Sequence, residues 1–170
     1  MTDTRQGASF FRRALPFVIG ITATGFVSGQ LSNSGYGNPW FDALDKPSFM
    51  PPGWAFPVAW TTLYIILGFV AAIIHAAPVS ADRTRALRLF WAQMILNFLW
   101  SPVFFGLHEP ALALGIIAVM LLASVGATFY LGRIREGAGW LMLPYLLWLS
   151  FATALNWQIL VLNPGVQPPL

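Results

Sequence analysis

The chain has 170 residues, of which 57% are hydrophobic and only 9% charged, with a mean hydropathy of +0.67. Soluble domains carry roughly 25% charged residues; 9 Lys+Arg and 6 Asp+Glu cannot clothe a water-soluble fold of this size, so the chain reads as an integral membrane protein. The absence of cysteine excludes disulfides, thiolate metal sites and cysteine nucleophiles, and no basic run longer than Arg12-Arg13 speaks for a nucleic-acid partner.

A spanning helix needs about 20 apolar residues. Five segments meet that length, at about 14–32, 54–77, 87–107, 111–132 and 138–162. The expected fold is all-α: a single bundle of five transmembrane helices over 1–170. The first segment follows Arg12-Arg13, a pattern shared with signal peptides, but retaining it completes the alternation of charged connections. Its Gly25 and Gly29 have the small-xxx-small spacing of close helix contacts, whether a dimer seam or ordinary transmembrane glycine. Arg5, Arg12, Arg13, Arg83, Arg85, Arg88, Arg133 and Arg135 fall on one side, and Lys46 alone on the other. The positive-inside rule then predicts a cytoplasmic N-terminus and an outside C-terminus. Inside-positive loops favour a bacterial cytoplasmic membrane, with an outer membrane as the alternative.

Between the first two spans runs a connection of about 21 residues, 33–53, rich in proline and aromatics. Pro47, Pro51 and Pro52 forbid a continuous helix there and stiffen the chain. With Trp40, Phe49 and Trp54 it forms a semi-rigid, aromatic lid. Lys46 is a partner for an anionic group on this side or a solvated interfacial base. In the second span Trp60 and Tyr64, four apart, share a helix face. Trp54 and Trp140, at helix starts, suit the aromatic belt of a membrane interface; Trp60, Trp100 and Trp148 lie inside spans, where they pack the bundle or line a cavity.

The third span carries Gln93, Asn97 and Ser101 at steps of four, a polar stripe that must face the interior because hydrocarbon offers no partners. Pro102 is expected to kink this helix. The fifth span repeats the theme with Tyr145, Trp148, Ala152 and Asn156. Large aromatic walls with a few amides describe a pocket for a flat, mostly apolar ligand. No Asp, Glu or Lys lies mid-span, and no Ser-His-Asp set or metal cluster is visible, so acid–base catalysis has no machinery here. His108 sits in the short third loop, a solvated histidine or an axial ligand for haem.

Three strings now align with a known family. They are Trp40-x3-Leu44-x-Lys46-Pro47-x-Phe49-x-Pro51-Pro52 with Pro57-x2-Trp60-Thr61; Asn97-Phe98-Leu99-Trp100-Ser101-Pro102; and Pro144-Tyr145-x2-Trp148-x3-Ala152-x2-Leu155-Asn156. Together they resemble the tryptophan-rich sensory protein/translocator protein family, whose animal members are the mitochondrial peripheral benzodiazepine receptors. The resemblance implies a five-helix bundle, usually a homodimer, that binds protoporphyrin IX, haem and synthetic benzodiazepine- or isoquinoline-type ligands. No resident cofactor is required; porphyrin or haem is the ligand. Some bacterial members break down bound porphyrin in light and oxygen, and Trp60 and Trp148 match the tryptophans associated with that reaction. The expected function is porphyrin binding in tetrapyrrole sensing or homeostasis, with transport of tetrapyrroles or other amphipathic molecules as the alternative. The family's sterol-recognition pattern needs a base that Leu155–Leu160 lacks, so sterol transport does not carry over.

Overall fold

The computed structural model describes residues 2–165, with side chains from Phe10 onward. The tail 166–170, expected to be uncharged and outside, and the side chain of Arg5 lie outside the described residues. Among the described residues the chain is all-helical, and five helical segments are long and apolar enough to cross a membrane. They are α1 (Thr2–Leu31), α3 (Ala55–Ala76), α4 (Ala81–Ser101) continued by a π-helical turn (Pro102–Gly106), α5 (Pro110–Ile134), and α6 (Leu143–Leu162) entered through a 3₁₀ turn (Ala138–Met142). A short helix, α2 (Pro39–Ala43), interrupts the first loop.

Local chemistry explains where these elements start and stop. The apolar run of the third span begins at Leu87, but α4 starts six residues earlier, because Ser80 accepts the Arg83 N–H at 3.1 Å and caps it. Arg83 and Arg85 therefore belong to the helix and not to a loop. The Arg83 guanidinium donates to the carbonyls of Ile74 and His75, both at 3.1 Å, and closes the C-terminus of α3. Pro102 produces a π turn: the Leu107 N–H reaches the Pro102 carbonyl at 2.9 Å, one residue further back than an α-helix allows. His108, in the left-handed region at φ 59°, then reverses the chain into α5.

α1 lies against α3, α4 against α5, and α5 against α6. The α1–α3 contact brings backbones together. A Cβ on Gly68 would lie 2.5 Å from Val18 Cα, and one on Gly25 would lie 2.1 Å from the Tyr64 ring. Gly25 thus serves a contact within the chain, and it seats a tyrosine of the site described below. The core combines Leu67, Ile74, Phe90, Met94, Met120 and Leu149, all below 2% exposed. Leu122, Phe129 and Leu147 face outward, as a lipid-facing surface requires.

Candidate ligand-binding site

Two aromatic groups form where α3, α4 and α6 meet. In the inner one, Trp60 stacks on Tyr64 at 5.3 Å between ring centroids, as their four-residue spacing predicts. Trp148 of α6 meets Trp60 edge to face at 6.2 Å and Phe56 at 6.0 Å. From Tyr64 a chain of hydrogen bonds crosses the bundle. The Tyr64 hydroxyl donates to Asn97 Oδ1 at 2.9 Å, and Asn97 Nδ2 donates to the Tyr145 hydroxyl at 3.0 Å. The Tyr145 hydroxyl in turn donates to Gln93 Oε1 at 2.6 Å. Gln93, Asn97 and Tyr145 are buried. Two donors beside this chain have no partner among the described residues: the buried Trp148 Nε1 and Gln93 Nε2.

The outer group sits nearer the first loop. Trp100 stacks on Phe104 at 4.9 Å, and Trp40 of α2 meets Phe104 at 5.6 Å. Here the indole of Trp100 and the amide of Asn156 are matched. Trp100 Nε1 donates to Asn156 Oδ1 at 3.3 Å, and Asn156 Nδ2 donates to the Pro110 carbonyl at 2.9 Å. Ser101 is hydrogen-bonded to Ser34, fastening α4 to the start of the loop.

A family model described as the TspO/MBR family matches residues 14–162. The chain belongs to the TspO/MBR family. It is 41% identical over 131 residues (76% of this chain, 81% of the relative) to "Protein CrtK" of Rhodobacter capsulatus. With the "Tryptophan-rich sensory protein" of Cereibacter sphaeroides the identity is 39% over 124 residues, covering 73% of this chain and 77% of the relative. With the human "Translocator protein" it is 30% over 154 residues, covering 89% and 90%. Membership and five spanning helices together make this a multi-pass membrane protein.

Within this TspO/MBR bundle the residues singled out by sequence divide. Trp60, Tyr64, Gln93, Asn97, Tyr145 and Trp148 come together in the inner group. Trp40, Trp100, Ser101 and Asn156 serve the outer one, so the polar stripe of α4 splits between two tasks. Ala152 packs at the core edge. Phe49 touches Phe151 of α6 at 6.2 Å and ties the loop to the inner group through Trp148, 5.8 Å from Phe151. Trp54 caps the start of α3 with 69% of its surface exposed and no ring contact among the described residues, as an interfacial tryptophan would.

Lys46 has partners that neither expectation for it included. Its ammonium donates to the carbonyls of Phe41 (2.8 Å), Asp42 (3.1 Å) and Leu44 (3.1 Å), and lies 4.8 Å from the Phe41 ring centroid. All three donors thus meet backbone carbonyls at the end of α2 and help to close that helix. His108 is exposed and stacks on Trp40 at 4.5 Å. Sequence reasoning missed α2, Phe56 and Ser124. The helix had a signal, an Asn38 cap followed by Pro39 at the first helical position. Ser124, whose hydroxyl donates to Met120 O at 2.7 Å and lies 3.5 Å from Gln93 Oε1, had none to separate it from other serines in spans.

Proposed function

We propose that this TspO/MBR protein binds a flat tetrapyrrole, a porphyrin or haem, at the inner aromatic group, and promotes its light-dependent breakdown. The observation that carries the reading is the pairing of two indoles at 6.2 Å with a buried, unpartnered Trp148 N–H. Buried donors are nearly always satisfied, so a free one beside large aromatic faces is suited to a ligand acceptor. The residues fit the ring of such a ligand, not its carboxylates, because Lys46 is already engaged by three carbonyls. Trp60 and Trp148 now rest on each other, so a planar ring enters between them only as that contact opens. Phe49 and Phe56 stand beside it.

An illuminated porphyrin passes energy to dissolved oxygen, and the nearest oxidisable side chains to a ring held here are the indoles of Trp60 and Trp148. These are the residues proposed to carry the photochemistry. The protein is further proposed to work as a homodimer in a bacterial cytoplasmic membrane, with its arginine-rich end cytoplasmic. Because the sequence contains no cysteine, Ser48→Cys and Glu136→Cys report orientation cleanly. An impermeant maleimide should label the first in intact cells and the second only after lysis; the reverse pattern inverts the topology.

Titration of the purified protein with protoporphyrin IX in the dark, followed by illumination, tests the main reading. Saturable quenching of tryptophan fluorescence is expected, then bleaching that is faster in the wild type than in a Trp60→Phe/Trp148→Phe double variant. Saturable binding with equal bleaching removes the photochemical role and keeps the binding one. No saturable binding overturns both. A transport role would require labelled porphyrin to enter proteoliposomes faster than protein-free vesicles, which binding alone does not predict.

A further inference from the structure

A recess lies at the other end of the bundle, far from the aromatic groups. Phe10 of α1, Ile73 and Ala76 of α3, Pro78 of the following turn, and Ile134 and Arg135 at the end of α5 line a groove of about 200 Å³. Of the residues that line it, only Arg135 carries a polar side chain. From Phe10 onward this end of the molecule carries seven arginines against two acids, Asp82 and Glu136.

Hydrogen bonding sorts those arginines by what they are free to do. Arg83 is spent on the carbonyls of Ile74 and His75. Arg133 and Arg85 share Asp82, at 2.8 and 3.4 Å, and so hold the start of α4 to the end of α5. Arg135, on the groove wall, takes part in neither arrangement and is exposed. Arg13 lies one turn along α1 from Phe10 and is also exposed. On the same helix Phe11 and Leu15 are 63% and 53% exposed, which places this stretch of α1 against lipid.

We propose that the groove is a binding site for one anionic phospholipid. Its acyl chain lies against Phe10, Ile73, Ala76 and Ile134, and its phosphodiester is held by Arg135. An apolar slot that ends at a planar guanidinium, at the depth where a bundle leaves the hydrocarbon, matches a molecule carrying both parts. A planar fork takes two phosphate oxygens at once, which a solvated lysine would not do. A soluble phosphate would leave the slot unfilled, and a zwitterionic lipid would turn its own cation toward an end already rich in arginine.

Native mass spectrometry of the full-length protein, released from nanodiscs of equal phosphatidylglycerol and phosphatidylcholine, tests this. Each base near the surface is worth about 1 kcal/mol toward an anionic lipid, so a preference of about fivefold is expected. Arg135→Gln should bring it close to unity, and Ala76→Phe, which fills the slot, should remove the retained lipid of either headgroup. Equal retention of both lipids by the wild type overturns the proposal, as does a preference unchanged in Arg135→Gln. Loss of the retained phosphatidylglycerol to free glycerol phosphate would also overturn it, by showing that the headgroup alone is recognised. Should Ala76→Phe fail to fold, Arg135→Gln decides by itself, since its side chain is exposed.

Discussion

The inner and outer aromatic groups are built from the same residue types, yet their hydrogen bonds differ. In the outer group the Trp100 N–H has Asn156, and Asn156 has Pro110. In the inner group the bonds run in one direction from Tyr64 to Gln93 and leave Trp148 Nε1 and Gln93 Nε2 without partners. Tryptophan content alone does not separate a packed interior from a binding site; the accounting of polar atoms is what favours the inner group as the proposed one. A matched group is stable as it stands, whereas an unmatched one carries a desolvation cost that a ligand acceptor can relieve.

The comparison breaks most visibly at Asn156. Asn156→Leu removes an acceptor and a donor together and strands two buried groups, so a loss of about 2–4 kcal/mol in stability is expected. Thermal unfolding in detergent would register it, while the folded fraction should bind protoporphyrin IX as the wild type does. Weakened binding without loss of stability would assign Asn156 to the site. Gly25→Ala comes next. The added methyl meets the far end of the Tyr64 ring and not backbone, so Tyr64 shifts and stability falls by about 1–2 kcal/mol. Porphyrin affinity should fall several-fold, because Tyr64 both stacks on Trp60 and starts the hydrogen-bond chain. Unchanged affinity would show that the ligand does not use this face.

The five spans were legible because each is an apolar run of sufficient length. The inward aim of Gln93, Asn97 and Asn156 was legible because an amide has nowhere else to go in hydrocarbon. What the sequence could not reveal is partner choice. Gln93, Asn97 and Ser101 share a stripe, but whether each meets Tyr145, Tyr64 or Ser34 depends on how α4 sits against α3, α6 and the loop. The carbonyl partners of Lys46 were hidden for the same reason. Its partners are carbonyls at the end of α2, and that helix is visible only once Asn38-Pro39 is read as a start signal. The start of α4 was placed late because the apolar run and the capping residue lie about two turns apart.

The sharpest discrimination is a matched pair of conservative changes. Trp100→Phe deletes a donor that is in use and leaves Asn156 Oδ1 unpartnered, which should cost about 1 kcal/mol of stability with little effect on binding. Trp148→Phe deletes a donor that nothing uses, so stability should change by less than about 0.5 kcal/mol, while porphyrin affinity falls several-fold if a ligand acceptor meets that N–H. Reading unfolding and porphyrin titration on both variants gives four numbers. If both variants lose stability and neither loses affinity, the two groups are equivalent and the inner one is packing.

The last and mildest change is at Lys46, and it bears on how the two groups are joined. The loop reaches the outer group through Trp40 and the inner one through Phe49, and between them it is held by Asn163, whose amide exchanges hydrogen bonds of 2.9 Å with the backbone of Asp45. Lys46→Met keeps much of the side-chain length but removes the three donors that close α2. The carbonyls of Phe41, Asp42 and Leu44 then turn to water, and the loop should become more susceptible to proteolysis between Trp40 and Gly53. Dark porphyrin affinity should fall less than about threefold, because the lysine's bonds are internal to the loop. A tenfold loss, reversed by Lys46→Arg and accompanied by no change in proteolysis, would instead return Lys46 to the role of a carboxylate partner and make the loop part of the binding surface itself.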